Sequence, residues 1–133
     1  MLEESHTIAV LGAHVEVSKP ARFVPDYLAQ QGYRLLPVNP VFLGREAWGR
    51  DFVTTLEDLT EPVDLVEVFR RSDHLPAHLP ELLAMRPLPR VVWLQLGIRH
   101  DGVARDLLAA GIDVVQDRCM LADHQELRLA RRP

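Results

Sequence analysis

The sequence predicts an α/β fold: a doubly wound sheet of about five parallel strands with helices on both faces. Short apolar runs alternate about five times with segments of helical periodicity along the 133 residues, which is typical of repeated strand–helix units. The connections between them are short, and right-handed crossovers between parallel strands leave few other topologies. The runs are mostly apolar, as expected for strands that are buried under helices on each side.

The first strand and the helix after it are predicted at residues 7–12 and 21–31. The strand is an apolar run that ends at Gly12, and the helix has one apolar face and is stopped by Gly32. A strand that turns at a glycine into a helix gathers backbone N–H groups and the positive end of the helix dipole at one place. That place suits a phosphate, and the intervening loop also contains Lys19, the only lysine of the chain.

The second and third strands are predicted at residues 33–38 and 64–69. Pro37, near the end of the second strand, marks either an edge strand or the point where pairing stops. Between these strands the pattern weakens, and only a short helix at residues 55–59, capped by a threonine, is predicted.

The C-terminal half is predicted to contain, in order, a helix from Ser72 or Asp73 to about Met85, a strand at residues 90–95, a helix from about His100 to Ala110, and a strand at residues 112–115. Pro76 and Pro80 indicate that the first of these helices starts late or bends. The chain after Asp117-Arg118-Cys119 is predicted to be an arginine-rich tail. Since neither a repeat nor a linker is evident, residues 1–133 are expected to form a single domain.

Composition is that of an ordinary soluble protein, with 47% hydrophobic and 26% charged residues. The net charge of −4 argues against a nucleic-acid partner, which usually requires a basic surface. A single cysteine excludes an internal disulfide and fits a reducing compartment, and no apolar run approaches the roughly 20 residues that cross a bilayer. The acidic N-terminus is too short for a signal peptide, so we expect a cytoplasmic protein without a membrane partner.

Cations gather at the predicted ligand edge of the sheet, where the carboxyl ends of the strands meet. Lys19, Arg70 and Arg71 follow the first and third strands, and Arg99 and Arg118 follow the fourth and fifth. On a chain of negative net charge, this arrangement indicates an anionic ligand. The alternative, that each arginine pairs with a neighbouring carboxylate, stays open for Arg99 and Arg118. For Arg70 and Arg71 an anion is favoured, because adjacent cations repel each other.

A nicotinamide dinucleotide is the default ligand of this layout, but the sequence lacks the usual fingerprint for it. That fingerprint requires three glycines after the first strand and an acidic residue about 20 residues later. Here Gly12 is not followed by another glycine until Gly32, and the second strand ends in Val38-Asn39-Pro40 without a carboxylate. An NAD(P)-binding oxidoreductase or redox sensor is therefore an alternative hypothesis and not the leading one.

Four motifs resemble, in their order along the chain, those of the small bacterial and archaeal CoA-binding proteins: Pro37-Val-Asn-Pro40, Val68-Phe-Arg-Arg-Ser72, Val91-Val-Trp-Leu-Gln-Leu-Gly-Ile-Arg99 and Asp117-Arg-Cys119. These proteins are single-domain relatives of the CoA-binding domain of the succinyl-CoA synthetase α subunit, and the resemblance extends from about residue 7 to residue 124. It implies a Rossmann-like domain that binds coenzyme A along the strand ends. CoA also fits the residues. It is highly anionic, which suits the cations at the ligand edge. The second strand ends without a carboxylate, which would repel the 3′-phosphate of CoA.

The residues that the resemblance implies as CoA-binding fall into four groups, one behind each of the first four strands: Gly12, Ala13, His14, Ser18, Lys19 and Pro20; Val38, Asn39 and Pro40; Phe69, Arg70, Arg71 and Ser72; and Gln95 and Gly97. The first group would contact the pyrophosphate and the second the adenosine. The third would lie near the phosphates or the pantetheine, and the fourth would line the pantetheine end. Residues 13–17 depart from the common family form, which leaves the phosphate contacts of that loop open.

No catalytic residue is expected, since neither a Ser-His-Asp order nor a carboxylate pair stands out. The resemblance implies ligand binding and not ligase chemistry, because the synthetase relatives carry their phosphorylated histidine in a second domain that we do not expect here. We expect a stand-alone carrier, sensor or accessory module that binds CoA or an acyl-CoA, with a homodimer or a partner enzyme subunit as candidate assemblies. A second alternative is a protein-interaction module with a vestigial nucleotide pocket.

Cys119 and two histidines are candidates for a reactive group and a metal site. Cys119 follows the fifth strand and could exchange with the thiol of CoA if Arg118 and a helix start ionise it, although a small structural residue is the favoured interpretation. His74 and His78 have the i, i+4 spacing of metal ligands, but Pro76 and the lack of a third ligand favour a solvated helix face. No metal is expected.

Overall fold

The computed structural model describes residues 2–130, without the side chains of residues 129 and 130. Its strands and helices, in chain order, are β1 (Thr7–Leu11), α1 (Pro20–Gln30), β2 (Arg34–Val38), β3 (Glu46–Ala47), β4 (Arg50–Asp51), β5 (Leu65–Val68), α2 (Leu75–Ala84), β6 (Val91–Leu94), α3 (Asp101–Ala109), β7 (Asp113–Val115) and α4 (Met120–Ala130). Single 3₁₀ turns lie at Pro40–Phe42, Leu56–Asp58 and Ser72–His74. The predicted short helix after residue 54 is the second of these turns, and α2 starts late, as its prolines predicted.

Five parallel strands form the main sheet in the order β2-β1-β5-β6-β7, which confirms the predicted doubly wound fold. The chain begins at β1, runs outward to β2, crosses back past β1 to β5 and continues to β7. The strand order therefore reverses between β1 and β5, and in such sheets the ligand crevice lies at that point. Leu11 is in register with Val38 on one side and with Val68 on the other, so these three strands end level with one another.

Two buried clusters cover the sheet: Ala9, Val66, Leu82 of α2 and Leu107 of α3 belong to one face, and Ile8, Trp93, Leu28 of α1 and Met120 of α4 belong to the other. Successive residues of each strand alternate between the clusters because side chains alternate across a strand. Because the strands are apolar at nearly every position, both faces of the sheet are apolar. The predicted helices on both faces are confirmed.

β2 is an edge strand, which is one of the two alternatives that the proline near its end indicated. Pro37 has no N–H to pair, but its carbonyl accepts a hydrogen bond from Val53 N–H at 3.2 Å, and Asn39 N–H donates to the Val53 carbonyl at 2.9 Å. Val53 thereby forms a parallel bridge with Val38. The returning chain covers the outer edge of the sheet where β2 delivers Asn39.

The hairpin of β3 and β4 occupies the region where the sequence pattern is weak. Trp48 and Gly49 form its turn with φ angles of 54° and 75°, and a left-handed backbone is unusual for a residue as bulky as tryptophan. The indole N–H of Trp48 donates to the Asp26 carboxylate of α1 at 2.7 Å, and Arg22 lies 5.7 Å above the indole ring. The conformation is therefore held by contacts from α1, which no local pattern encodes.

The predicted arginine-rich tail is wrong for residues 120–130, which form α4. Met120 and His124 of this helix are buried, and Nδ1 of His124 lies 2.8 Å from the hydroxyl of Tyr27 on α1. The remaining arginines of the predicted tail, at positions 131 and 132, lie outside the described residues. None of the helices in the described part of the chain is long and apolar enough to span a bilayer.

Glu67 is an exception to the apolar core. It lies on β5 between Val10 of β1 and Trp93 of β6. Its side chain is wholly buried, and neither carboxylate oxygen has a hydrogen-bond partner among residues 2–130. Burial raises the pKa of Glu67 to about 8, so this side chain is a neutral acid at neutral pH.

Candidate functional site

The floor of the candidate site is the point where β1 and β5 end. Gly12 follows β1 with a φ of +89°; its N–H donates to the Val38 carbonyl at 2.8 Å, and Phe69 N–H donates to the Leu11 carbonyl at 2.8 Å. A Cβ on residue 12 would lie 2.5 Å from the Phe69 carbonyl oxygen. Glycine is therefore required both by its left-handed backbone and by this close approach.

The loop behind β1 folds back on itself before α1 begins. His14 N–H donates to the Ala21 carbonyl at 3.2 Å, and Lys19 N–H donates to the Glu16 carbonyl at 3.1 Å. Lys19 is the N-cap of α1 and its side chain makes no capping bond. The exposed Lys19 thus adds a positive charge at the start of α1, where the helix dipole also favours an anion.

His14 can offer a ligand one ring nitrogen. Its Nδ1 accepts a hydrogen bond from Glu16 N–H at 3.0 Å, so the neutral ring carries its proton on Nε2. The ring packs edge to face on Phe42, with 4.7 Å between the ring centroids. Nε2–H is thus a donor on a ring whose orientation is fixed.

Asn39 joins the end of β2 to the loop behind β1. It is buried; its Nδ2 donates to the Ala13 carbonyl at 2.9 Å, and its Oδ1 accepts from Val41 N–H at 3.1 Å. Both ends of the carboxamide are therefore used inside the protein. Asn39 shapes the site by positioning Ala13 and the turn at Pro40–Phe42.

Arg70 and Arg71 differ in their surroundings. Arg70 is partly buried beside the adjacent ends of β1 and β5, with its Cδ 3.4 Å from where a Cβ on residue 12 would stand. The Nε of Arg70 is buried, and no described residue accepts its proton. Arg71 is largely exposed, and its Nε lies 3.4 Å from the Asp73 carboxylate. Arg70 is therefore the guanidinium with an unsatisfied buried donor.

Glu81 of α2 is an anionic neighbour of Arg70. Burial alone would raise the pKa of Glu81. The pKa is lowered instead, because the Glu81 carboxylate lies 2.5 Å from Nδ1 of His78, accepts a hydrogen bond from Leu56 N–H at 3.0 Å and lies near the charge of Arg70. His78 is thus engaged with a carboxylate, and His74 is exposed. No group of three His, Cys, Asp or Glu side chains able to hold a metal comes together within residues 2–130.

The turn behind β6 is tied to the neighbouring strand ends. Its hydrogen bonds are Ile98 N–H to the Gln95 carbonyl (2.9 Å), Gly97 N–H to the Asp117 carboxylate (2.7 Å), Arg99 N–H to the Ser72 hydroxyl (3.0 Å) and Met120 N–H to the Gln95 side-chain oxygen (3.3 Å). These bonds reach the segments behind β5 and β7 as well as the start of α4. The turn is therefore a fixed part of the site wall.

A cavity of about 800 Å³ opens over these strand ends, within the usual range for small-molecule sites. Most of the predicted CoA-binding residues line it: Gly12, His14, Lys19, Pro20, Asn39, Phe69, Arg70, Arg71, Ser72, Gln95 and Gly97. The others lie outside its lining, since Ala13 and Val38 are buried and Ser18 and Pro40 are exposed at the surface. Ala13 contributes through its carbonyl, which holds Asn39.

The cavity lining also includes four residues that are not among the predicted CoA-binding residues, namely Ala21, Asp73, Leu96 and Ile98. Leu96 and Ile98 flank Gly97, so their place beside a predicted site residue was the available signal. Ala21 and Asp73 lie next to predicted site residues in the same way.

Arg99 and Arg118 pair with neighbouring carboxylates, which is the alternative that the sequence left open. Arg99 Nε lies 3.2 Å from Asp101, and Arg118 Nε lies 2.7 Å from Asp123. Neither arginine lines the cavity, and Cys119, which is partly buried directly before α4, also lies outside it. The cationic part of the cavity is formed by Lys19 and the two arginines behind β5.

Comparison with known proteins gives a consistent result. Residues 6–125 match a family model described as a CoA binding domain. The uncharacterized protein YneT of Bacillus subtilis strain 168 is 32% identical over 124 residues, which cover 93% of this chain and 89% of YneT. The solved structure of cell-free ID.343 from Thermus thermophilus is 54% identical, with a TM-score of 0.91 over 95% of this chain and 92% of that one. A hypothetical protein from Pyrococcus horikoshii OT3 is 26% identical, with a TM-score of 0.87 over 96% and 87% of the two chains.

Proposed function

The chain belongs to the CoA binding domain family, and we propose that it binds coenzyme A in the cavity at the carboxyl ends of β2, β1, β5 and β6. The observation that carries the proposal is Arg70, which lines this cavity and whose buried Nε has no acceptor in the described chain. A buried donor without a partner costs about 1–3 kcal/mol. A phosphate oxygen that accepts from the Arg70 guanidinium would form a charge-assisted hydrogen bond and offset that cost.

The chemistry of the cavity supports one orientation of the ligand. The pyrophosphate lies between Lys19 and Arg70, where the cations and the start of α1 meet. The adenosine lies toward the end of β2, beside the ring of His14, and the pantetheine extends toward Gln95 and Gly97 behind β6. In this arrangement the ligand crosses the crevice at the strand-order reversal, as ligands do in doubly wound sheets.

The proposed role is that of a single-domain carrier or sensor of CoA in the cytoplasm. Binding groups converge on the cavity, and we assign no reaction to them. A homodimer or a partner enzyme subunit fits such a role, because a carrier or sensor must pass its ligand or its bound state to another protein.

Substitution of Arg70 tests the site. Arg70→Ala is expected to weaken CoA binding by about 1.5–3 kcal/mol, or roughly 10- to 150-fold in Kd, because it removes a charged hydrogen bond. Arg71→Ala should have a smaller effect, since Arg71 is exposed and shares its charge with Asp73. Isothermal titration calorimetry with CoA and, separately, with NADH measures both variants and the wild type.

Arg105→Ala is the matched control, because Arg105 is an exposed arginine of α3 outside the cavity lining. It should bind CoA like the wild type. Tight binding of NADH with none of CoA would replace this proposal by the oxidoreductase alternative. Absence of binding to either nucleotide would favour the protein-interaction alternative, and equal CoA affinity in wild type and Arg70→Ala would remove Arg70 from the site.

A further inference from the structure

The charge of the cavity is uneven along the strand ends. Lys19 and Arg70 stand on the β1 and β5 side, and the charge of Arg71 is offset by Asp73, 3.4 Å away. The segment behind β6 contributes Gln95, Leu96, Gly97 and Ile98 to the lining, with no charged side chain among them. The cavity therefore changes from cationic to apolar in the direction from β1 to β6.

Leu96 is the distinctive residue of the apolar end. Large apolar side chains that are exposed in residues 2–130 are Val17, Phe23, Val41, Leu43, Leu96 and Leu108, and of these Leu96 lines the cavity. Its side chain is 65% exposed. Nothing lies within 4 Å of the position of a Cβ on Gly97 beside it, so the space in front of this turn is open.

The backbone that carries Leu96 is fixed before any ligand arrives. Ile98 N–H is bonded to the Gln95 carbonyl at 2.9 Å, and Gly97 N–H to the Asp117 carboxylate at 2.7 Å. Little backbone ordering is then needed when an apolar group packs on Leu96. An exposed leucine on a preformed turn at the end of a ligand cavity is a suitable contact for an apolar group of that ligand.

We propose that Leu96, with Phe69 and Ile98, forms a subsite for the acyl chain of an acyl-CoA, so that the protein prefers CoA thioesters with apolar acyl groups over free CoA. The inference rests on the proposed function, which directs the pantetheine toward β6. Three strand spacings separate β2 from β6, about 14 Å in all, and the adenosine and phosphates occupy the first part of that path. The thioester end reaches the turn behind β6, where Leu96 is the exposed apolar surface.

Calorimetric titrations of the full chain with CoA, acetyl-CoA and hexanoyl-CoA test the subsite. In the wild type, hexanoyl-CoA should bind about tenfold more tightly than CoA, the effect expected for burying two or so methylene groups. Acetyl-CoA should show little of this gain. In Leu96→Ser the ratio of the hexanoyl-CoA affinity to the CoA affinity should fall to about twofold or less.

Leu108→Ser is the matched control, because Leu108 is 56% exposed on α3 and does not line the cavity; it should keep the tenfold ratio. If CoA binds but hexanoyl-CoA gains nothing in the wild type, the acyl subsite is wrong while the proposed function stands. If neither compound binds, the proposed function fails and the subsite fails with it. An equal loss of the ratio in both serine variants would also overturn the assignment to Leu96.

Discussion

A wholly buried carboxyl on a central strand makes the stability of this protein depend on pH. Burial raises the pKa of Glu67 from 4.5 to about 8. The folded state therefore keeps a proton that the unfolded chain releases, so the contribution to stability is complete below about pH 4.5 and is lost as the pH rises to about 8. At roughly 1.4 kcal/mol per pH unit over about 3.5 units, the loss is on the order of 4–5 kcal/mol.

We expect Glu67→Gln to remove this loss, because the amide has the shape of the neutral acid and does not ionise. The variant and the wild type should be within about 1 kcal/mol at pH 5, and the variant should be more stable by about 3–4 kcal/mol at pH 8.5. Urea unfolding followed by circular dichroism from pH 5 to pH 9 measures both. Glu57→Gln, at an exposed position, should keep the wild-type pH dependence. Parallel pH curves for wild type and Glu67→Gln would contradict a buried neutral acid.

At the residue scale, the sequence predicts those site residues that are identified by their type and by their place behind a strand. Gly12 and Arg70 are of this kind, because a parallel sheet brings the ends of its strands to one edge whatever the details of packing. Leu96 also follows a strand, but its exposure could not be predicted, since an exposed leucine and a core leucine look alike in sequence. Its exposure is set by a turn that Asp117 holds from 20 residues further along.

α4 is attached to α1 by a polar contact as well as by apolar packing. The pKa of His124 is lowered by burial and by the charge of Arg128, so the ring is neutral when buried, with its Nδ1 2.8 Å from the Tyr27 hydroxyl. A lowered histidine pKa contributes stability that is present above the unfolded value of about 6.5 and is lost as the pH falls. We therefore attribute part of the attachment of α4 to α1 to this one hydrogen bond.

Tyr27→Phe is expected to lower the free energy of unfolding by about 1–2 kcal/mol, because it removes the hydrogen bond and leaves a buried ring nitrogen unsatisfied. Amide hydrogen exchange in residues 120–130 should accelerate. Tyr33→Phe is the matched control: its hydroxyl donates to the Leu2 carbonyl at 2.8 Å, so its loss should act on the N-terminal segment and leave exchange in α4 nearly unchanged. Unaltered exchange of α4 in Tyr27→Phe would show that the helix is held by its apolar contacts alone.

At the element scale, the five parallel strands could be predicted because each is a short apolar run between turn residues. α4 could not, because His124 occupies the middle of an apolar stripe that Met120, Leu121 and Leu127 form around it. A histidine there breaks the helical pattern, and its burial is explained by the hydroxyl of Tyr27, 97 residues earlier, and by the ring of Tyr33. The hairpin of β3 and β4 escaped prediction for a similar reason, since Asp26 on α1 holds the turn at Trp48.

At the scale of the whole molecule, the cavity is a product of topology more than of any one loop. The segments behind β2, β1, β5 and β6 are joined by Asn39 to Ala13, by Gly12 against Phe69, and by Ser72 to Arg99. Each of these contacts crosses from one strand end to the next. A ligand that spans all four segments would therefore stabilise parts of the chain that are distant in sequence, and a ligand that reaches only some of them would not.

Amide hydrogen exchange distinguishes these cases when it is measured with bound CoA and with bound adenosine 3′,5′-bisphosphate. The bisphosphate is a nucleotide part of CoA without the pantetheine. If CoA lies across the strand ends as proposed, both compounds should slow exchange in residues 12–20, because both place phosphates beside Lys19 and the start of α1. CoA alone should also slow exchange in residues 95–99, because only the pantetheine reaches the turn behind β6. Residues 105–109 of α3 lie outside the cavity lining and provide the internal reference, where binding should change only the rate of global opening. Equal protection of residues 95–99 by the bisphosphate would reverse the proposed orientation, because the nucleotide would then occupy the β6 end and the pantetheine would lie toward β2.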